Sequence, residues 1–290
     1  MPAFETKDAN MYLVTGATGN VGSKVVAQLL GSGAKVRVFA RDPGKVSHWG
    51  DRVEVAVGEF GRLDSFERAI AGVDGAFLMG GVTDQESYGR LIAAAKAQGN
   101  PRIAFLSSIL ADTPEFRIGQ LHKEKEDAIR ESGLPAKFVR PGSFMTNIYQ
   151  SIGTIKAEGV VYNATGTGKI AAIAPEDIAA VVVKALTDPE LSGDTFEVTG
   201  GKLLDVPEQV SILADVLGKP IRCVDVPMES AVQGMIRAGV PAQLAAGVGQ
   251  SLQAIRDGRT VIVTDTVKRV TGHEPKTFVA WARENAARFA

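Results

Sequence analysis

MYLVTGATGNVGSKVVAQLLGSG, residues Met11–Gly33, is the stretch on which the fold turns. It opens with an apolar run of strand length, Met11–Val14, and continues into Gly16, Gly19 and Gly22, three residues apart. Val21, Val25, Val26, Leu29 and Leu30 then recur at helical spacing until Gly31 and Gly33 end the helix. Strand, glycine turn and helix in that order is the setting a dinucleotide-binding corner needs. The first glycine permits a tight turn off the strand, the second lets backbone approach a diphosphate, and the third lets the helix pack closely on the sheet. Unmatched amides at the helix start, together with the helix dipole, favour phosphate charge. Gly16, Thr18, Gly19, Asn20 and Val21 are the residues expected to hold it.

Outward from this corner the chain alternates strand and helix. Lys35–Ala40 reads as a second strand and ends at Arg41-Asp42-Pro43, with Lys45 close behind. The residue at this strand end decides the adenosine contact: an acid holds the free ribose hydroxyls of NAD, and an arginine accommodates the extra phosphate of NADP. Arg41 and Lys45 favour NADP, with NADPH as the working form; an Asp42 turned to the ribose would give NAD instead. Val53–Gly58 reads as a third strand, and Gly58, Glu59 and Phe60 fall at the edge of the expected adenine pocket. Leu63–Val73 is a helix and Gly75–Gly80 a fourth strand; Gly80 and Gly81 either let the cofactor lie across the strand ends or make a plain turn. A helix over Gln85–Gln98 precedes a fifth strand, Arg102–Ser108, and a strongly charged helix, Gln120–Ser132, precedes a sixth, Ala136–Arg140. In that charged helix Leu121, Ala128 and Ile129 are read as the buried stripe and the rest as a solvated face. Strands joined by helical crossovers predict a parallel sheet with helices on both faces, binding ligands beyond the carboxyl ends of its strands.

Past Pro141 the rhythm loosens. Helices are expected over Asn147–Glu158, Ile178–Leu186, Val206–Leu217 and Phe278–Phe289, strands over Thr195–Thr199 and Ile221–Val226, and a loop over Tyr162–Lys169. Met228–Arg256 reads as two helices broken at Gly239-Val240-Pro241. Its stripe Met228, Val232, Met235 and Ile236 suits core or a subunit interface, which leaves a homodimer open. The expected architecture is therefore α/β, a Rossmann-type doubly wound parallel sheet over residues 1–150, with a smaller α+β substrate lobe over 151–290 interleaved with it.

Composition narrows the function classes. The chain has 290 residues, 45% hydrophobic and 22% charged, with a formal net charge of −1, so neither nucleic acid nor an anionic membrane is expected as partner. A single cysteine, Cys223, excludes an internal disulfide framework and fits a reducing, cytoplasmic setting. The polar N-terminus does not read as a signal peptide, no apolar run has the length of a bilayer span, and no metal site is called for.

At this point the chain resembles the NmrA-like branch of the atypical short-chain dehydrogenase/reductase superfamily. The likeness rests on TGATGNVG at Thr15–Gly22, FARDPGKV at Phe39–Val46, LSS at Leu106–Ser108, GQLHKEKEDAIRESGLP at Gly119–Pro135, RPGSFMTN at Arg140–Asn147 and APEDIAAVVVKAL at Ala174–Leu186. It implies an NADP-binding Rossmann domain and a small C-terminal lobe. It further implies that Pro141, Gly142, Ser143 and Phe144 flank the nicotinamide. The tyrosine-x-x-x-lysine pair of ordinary short-chain dehydrogenases is missing: Tyr12, Tyr88, Tyr149 and Tyr162 are followed at that spacing by Gly16, Ile92, Gly153 and Gly166. Alcohol oxidation needs such a base, so the absence argues against it. In NmrA-like reductases a lysine or histidine near the start of the charged helix contacts ribose or substrate, and His122 matches that place approximately.

The resulting expectation is a reductase that transfers hydride from NADPH to a quinone-like or other electrophilic aromatic acceptor, a small apolar substrate. His122 would polarise or protonate the acceptor, and Ser107 would assist by hydrogen bonding beside the cofactor. Such an acceptor carries its own electron sink, so alignment matters more than a strong acid. The other reading is a sensor without turnover that binds NADP(H) and reports redox state to a protein partner.

Overall fold

The protein is described by a computed structural model covering residues 10–80 and 84–290. The opening stretch folds as read: strand β1 (Met11–Thr15) runs through the glycine turn into helix α1 (Gly22–Gly31), whose Val25, Val26 and Leu29 are buried. The alternation continues through β2 (Lys35–Ala40), β3 (Glu54–Val57), α2 (Leu63–Ile70), β4 (Gly75–Met79), α3 (Gln85–Ala97), β5 (Arg102–Leu106), α4 (Arg117–Ser132) and β6 (Ala136–Pro141). Then come α5 (Ile152–Glu158), β7 (Val160–Asn163), α6 (Pro175–Thr187), β8 (Thr195–Val198), α7 (Val206–Leu217) and β9 (Arg222–Asp225). Helices α8 (Met228–Arg237), α9 (Ala242–Arg256), α10 (Thr266–Thr271) and α11 (Phe278–Asn285) complete the chain.

Seven strands form one sheet in the order β3-β2-β1-β4-β5-β6-β8. The ladders from β3 through β6 are all parallel, as crossovers through helices require. Connections leave β1 toward β2 on one side, and β4 lies on its other side, so the order reverses at the β1–β4 pair. That reversal opens a crevice at the carboxyl ends of the strands.

The chain divides into two compact units. The first, residues 1–107, 123–139 and 179–195, is built on a core of Leu13, Phe39, Phe66, Ile70, Leu78, Tyr88, Ile92, Phe105 and Phe138. The second, residues 108–122, 140–178 and 196–290, is built on Met145, Ile148, Val161, Leu213, Phe278, Trp281 and Phe289.

Several local expectations need correction. Tyr162 and Asn163 are not loop but the end of β7, which pairs in parallel with β9. The stretch before α5 is a 3-10 segment, Met145–Ser151, and the C-terminal helix gives way to another at Ala286–Arg288. Helix α8 buries none of its residues, so its apolar stripe is not core. In α4 the buried residues are Gly119, Lys125, Glu126 and Ile129, whereas Leu121 and Ala128 are only partly covered. A charged face was thus misread as solvated, because two of its charges have partners inside the protein.

Candidate functional site

Two recesses carry the predicted residues. The larger, an open cleft of about 760 Å³ in the first unit, follows the carboxyl ends of β1 to β4. Gly16, Ala17 and Thr18 line it after β1, Arg41, Asp42 and Lys45 after β2, Gly58 to Gly61 after β3, and Met79 at the end of β4. Gly16 has φ of +63°, a conformation that favours glycine. A Cβ on Gly22 would collide with the Gly16 carbonyl, backbone against backbone, so helix and turn can meet this closely only through glycine. Between them Thr18, Gly19 and Asn20 stand exposed, and Val21 is buried beneath.

The charges in the cleft are sorted by what each side chain already does. Asp42 Oδ1 accepts the Gly44 amide at 2.9 Å and caps the 3-10 segment Pro43–Arg52. Its carboxylate is thereby turned to backbone. Arg41 and Lys45 have no ion-pair partner among the described residues, and both line the cleft. At the β3 end, Phe60 packs edge-on against Phe39 at 5.7 Å, and Phe39 packs against Phe66 at 5.9 Å, giving an aromatic floor. Gly58 is needed there, since a Cβ would collide with Phe39 and Ser65. Ser65 Oγ donates to the Arg62 carbonyl at 2.7 Å and steadies the Glu59–Arg62 turn. Asp84, at the start of α3, also lines the cleft; the Ser87 amide and hydroxyl hold its carboxyl below the usual range. A glycine corner closed to side chains, two unpaired cations and an aromatic floor fit a dinucleotide with a phosphorylated adenosine.

The second recess, about 220 Å³, lies in the second unit. Pro141, Gly142 and Ser143 form one wall, and Ile109, Leu110 and Phe116 another. The walls are fixed by backbone: Ile109 N donates to Pro141 O at 3.1 Å, Gly142 N to Val198 O at 3.0 Å, and Ile173 N to Ser143 O at 2.9 Å. Arg140, 3% exposed, grips both carboxylate oxygens of Asp112 and so ties the loop after β5 to the end of β6. Among the described residues the remaining lining is apolar or hydroxylic, with Arg259 its single charged member.

Of the residues read as cofactor contacts, Gly16, Thr18, Arg41, Lys45, Gly58, Glu59 and Phe60 come together in the first cleft, and Pro141 and Gly142 in the second recess. Gly19, Asn20 and Val21 belong to the same corner as Gly16 without lining the cleft. Gly80 is buried after β4, and Phe144 begins the Met145–Ser151 segment. Gly81 lies outside the described residues. Ser107 is 4% exposed, and its hydroxyl donates to Glu126 Oε1 at 2.5 Å; Glu126 takes Arg130 at 2.8 Å on its other oxygen. His122 is half-buried in the second turn of α4 and lines neither recess.

Sequence reasoning missed Lys125. It is 5% exposed, and its Nζ stands 5.7 Å from the ring centre of Tyr88, a phenol that burial pushes well up in pKa. The signal was present: Lys125 falls four residues after Leu121 and four before Ile129, in the middle of the helix's apolar stripe. Phe39, Met79, Asp84 and Arg259 had no such signal, because only the folded chain brings them to the recesses.

Fold and cleft together define a Rossmann protein that binds a pyridine dinucleotide. The NAD(P)H-binding family matches residues 16–189. The chain is 36% identical to a (4-alkanoyl-5-oxo-2,5-dihydrofuran-3-yl)methyl phosphate reductase of Streptomyces griseus over 97% of its length and 99% of that protein. It is 34% identical to an NAD(P)H azoreductase of Xenophilus azovorans, covering 96% of this chain and 99% of the relative. Among solved structures, the NADPH complex of a quinone oxidoreductase of Escherichia coli shares the fold with a TM-score of 0.81 at 23% identity, over 94% of this chain and 99% of that one. The chain belongs to the NAD(P)H-binding family. Among the described residues, no helix is long and apolar enough to cross a membrane.

Proposed function

We propose that the protein is an NADPH-dependent reductase delivering hydride to a small electrophilic acceptor, quinone-like or azo-aromatic. The observation that carries the cofactor choice is the division of labour at the β2 end: Asp42 is committed to the Gly44 amide, while Arg41 and Lys45 face the cleft without carboxylate partners among the described residues. The acceptor class is supported by the relatives named for azo and furanone-phosphate reduction and by the quinone oxidoreductase that shares the fold.

In this reading the Gly16–Gly22 corner holds the diphosphate through Thr18, Gly19, Asn20 and Val21. Arg41 and Lys45 take the adenosine phosphate, and Gly58, Glu59 and Phe60 border the adenine, with Gly80 and Gly81 across the strand ends. Pro141, Gly142 and Phe144 border the nicotinamide, whose C4 supplies the hydride when the cofactor is bound. The recess walled by Phe116, Leu110 and Ile255 receives the acceptor and excludes water from it. Ser107 acts by holding Glu126, and through it Arg130, in place. His122 is the proposed group that polarises the acceptor. A cytoplasmic homodimer completes the reading; Cys223, whose thiol burial pushes up, suits a reducing setting as an inert residue.

The test is loss of NADPH absorbance with a panel of small quinones and azo dyes. Turnover with NADPH well above NADH is expected. Tight NADPH binding without turnover of any acceptor would move the protein to the sensor class. Unchanged turnover in a His122→Ala variant would remove His122 from the chemistry.

A further inference from the structure

We propose that the acceptor carries a negative charge, and that Arg259 is the residue that recognises it. The proposal rests on the reductase reading for the word acceptor, and on the geometry of the second recess for the rest. Arg259 lies just past α9, and its guanidinium carbon sits 5.4 Å from the ring centre of Phe116; both residues line the recess. Stacking on an aromatic face steadies the plane of a guanidinium while leaving its edge donors available. Among the described residues, no carboxylate lines the recess.

The contrast with Arg256, one turn earlier, shows that those donors are uncommitted. Arg256 makes a bidentate pair with Asp225 at 3.1 and 3.0 Å and donates to the Ala164 carbonyl at 2.8 Å. Among the described residues the carboxylate paired with Arg259 is Asp257, at 3.8 Å, beyond hydrogen-bond distance and between two side chains about half exposed to solvent. Such a pair is strongly screened and leaves the planar fork free for another anion. A second, independent observation stands beside it. The Oγ1 of Thr260, which also lines the recess, is buried with no hydrogen-bond partner. A buried hydroxyl left unpaired is costly, so a polar ligand group or bound water is called for there.

The rest of the recess is apolar or hydroxylic, with Ile109, Leu110, Ile255 and Ile262 among its lining, and its 220 Å³ suits one or two fused rings. The ligand class that matches is a small planar electron-poor ring bearing one carboxylate, sulfonate or phosphate at its edge. The ring would lie on the apolar wall, with the anion against the Arg259 fork.

The probes are naphthalene-2-sulfonate and its neutral match, naphthalene-2-sulfonamide, titrated calorimetrically into the NADP-saturated protein. The expected result is about tenfold tighter binding of the sulfonate, the range for hydrogen bonds to a charged partner at a half-exposed site. Arg259→Gln is expected to collapse the sulfonate-to-sulfonamide ratio toward one, and Arg259→Lys to keep most of it. Equal affinities in the wild-type protein, or an unchanged ratio in a folded Arg259→Gln variant, would overturn the proposal. A wild-type preference for sulfonate without reduction of any acceptor would leave the anion site standing and remove the reductase reading. Quinone reduction with no anion preference would do the reverse.

Discussion

At the scale of single residues, neighbouring charges are separated by what each already touches. Arg41 and Asp42 are adjacent, and from sequence either could have set the cofactor. The Gly44 amide at 2.9 Å decides between them, because an acid that caps the Pro43–Arg52 segment is engaged before any ribose arrives. Arg41 has no such engagement and remains exposed in the cleft. Removing it should therefore discriminate between cofactors. Arg41→Ala is expected to raise the KM for NADPH by about ten- to a hundredfold, the loss of hydrogen bonds to a charged phosphate, while the KM for NADH changes by less than about threefold. Steady-state assays with both cofactors check this, and an equal rise for both would take Arg41 out of the phosphate role. Arg41 was legible in sequence because its place follows from the end of an easily read strand. Lys125 was not, because helical period marks a position as inward without saying that a lysine there finds an aromatic face.

At the scale of elements, the helices that sit as expected carry their own start signals. Helix α7 begins with a reciprocal cap: the Asp205 carboxylate accepts the Glu208 amide at 2.8 Å, and the Glu208 carboxylate accepts the Asp205 amide at 2.9 Å. The Asp205 amide and then Lys169 hold the Glu208 carboxyl below its usual range. Asp205→Ala is expected to cost about 1–2 kcal/mol, visible as a thermal midpoint lowered by a few degrees at pH 7. Helix α6 shows the opposite electrostatics. Asp177 sits in its first turn, 4% exposed, and accepts the Lys276 amide at 2.7 Å. Burial pushes its carboxyl up, and the Lys276 amide with the nearby His273 and Lys276 charges only partly offsets that. A raised folded-state pKa means the native protein holds this proton more tightly than the unfolded chain. Its contribution to stability is then fully present below the ordinary aspartate range and is lost as pH rises through the raised value. Asp177→Asn keeps an acceptor for the Lys276 amide and removes the titration. Its midpoint is expected to equal or exceed the wild-type one at pH 7, with the advantage shrinking toward pH 4, as read by thermal melts across that range.

At the scale of the whole molecule, the sheet was legible and the second unit much less so, for one physical reason. Strands β1 to β6 are linked by helical crossovers of ordinary length, so chain order nearly dictates their pairing. Strand β7 pairs instead with β9, Val160 opposite Arg222, across more than sixty residues that include a strand of the other sheet. No local periodicity announces such a partner, and so its last two residues read as loop. The first cleft inherits the legibility of its strands, since four consecutive strand ends supply its lining. The second recess draws on the loop after β5, the end of β6 and the segment past α9, and its Pro141–Ser143 wall was foreseen residue by residue.

A ligand that bridges the ends of four strands should stabilise the fold that brings them together. At a free concentration about a hundred times its Kd, a ligand bound only by the native state adds about 2.7 kcal/mol. For a chain of 290 residues that unfolds cooperatively this corresponds to a rise in thermal midpoint of about 4–5 °C. NADPH at 1 mM is expected to produce such a shift in the wild-type protein, and NADH at the same concentration a clearly smaller one. In Arg41→Ala the difference between the two cofactors should disappear, because what remains is the diphosphate grip of the Gly16–Gly22 corner that both share. A midpoint indifferent to either nucleotide would mean that the corner closes on nothing, whatever the acceptor.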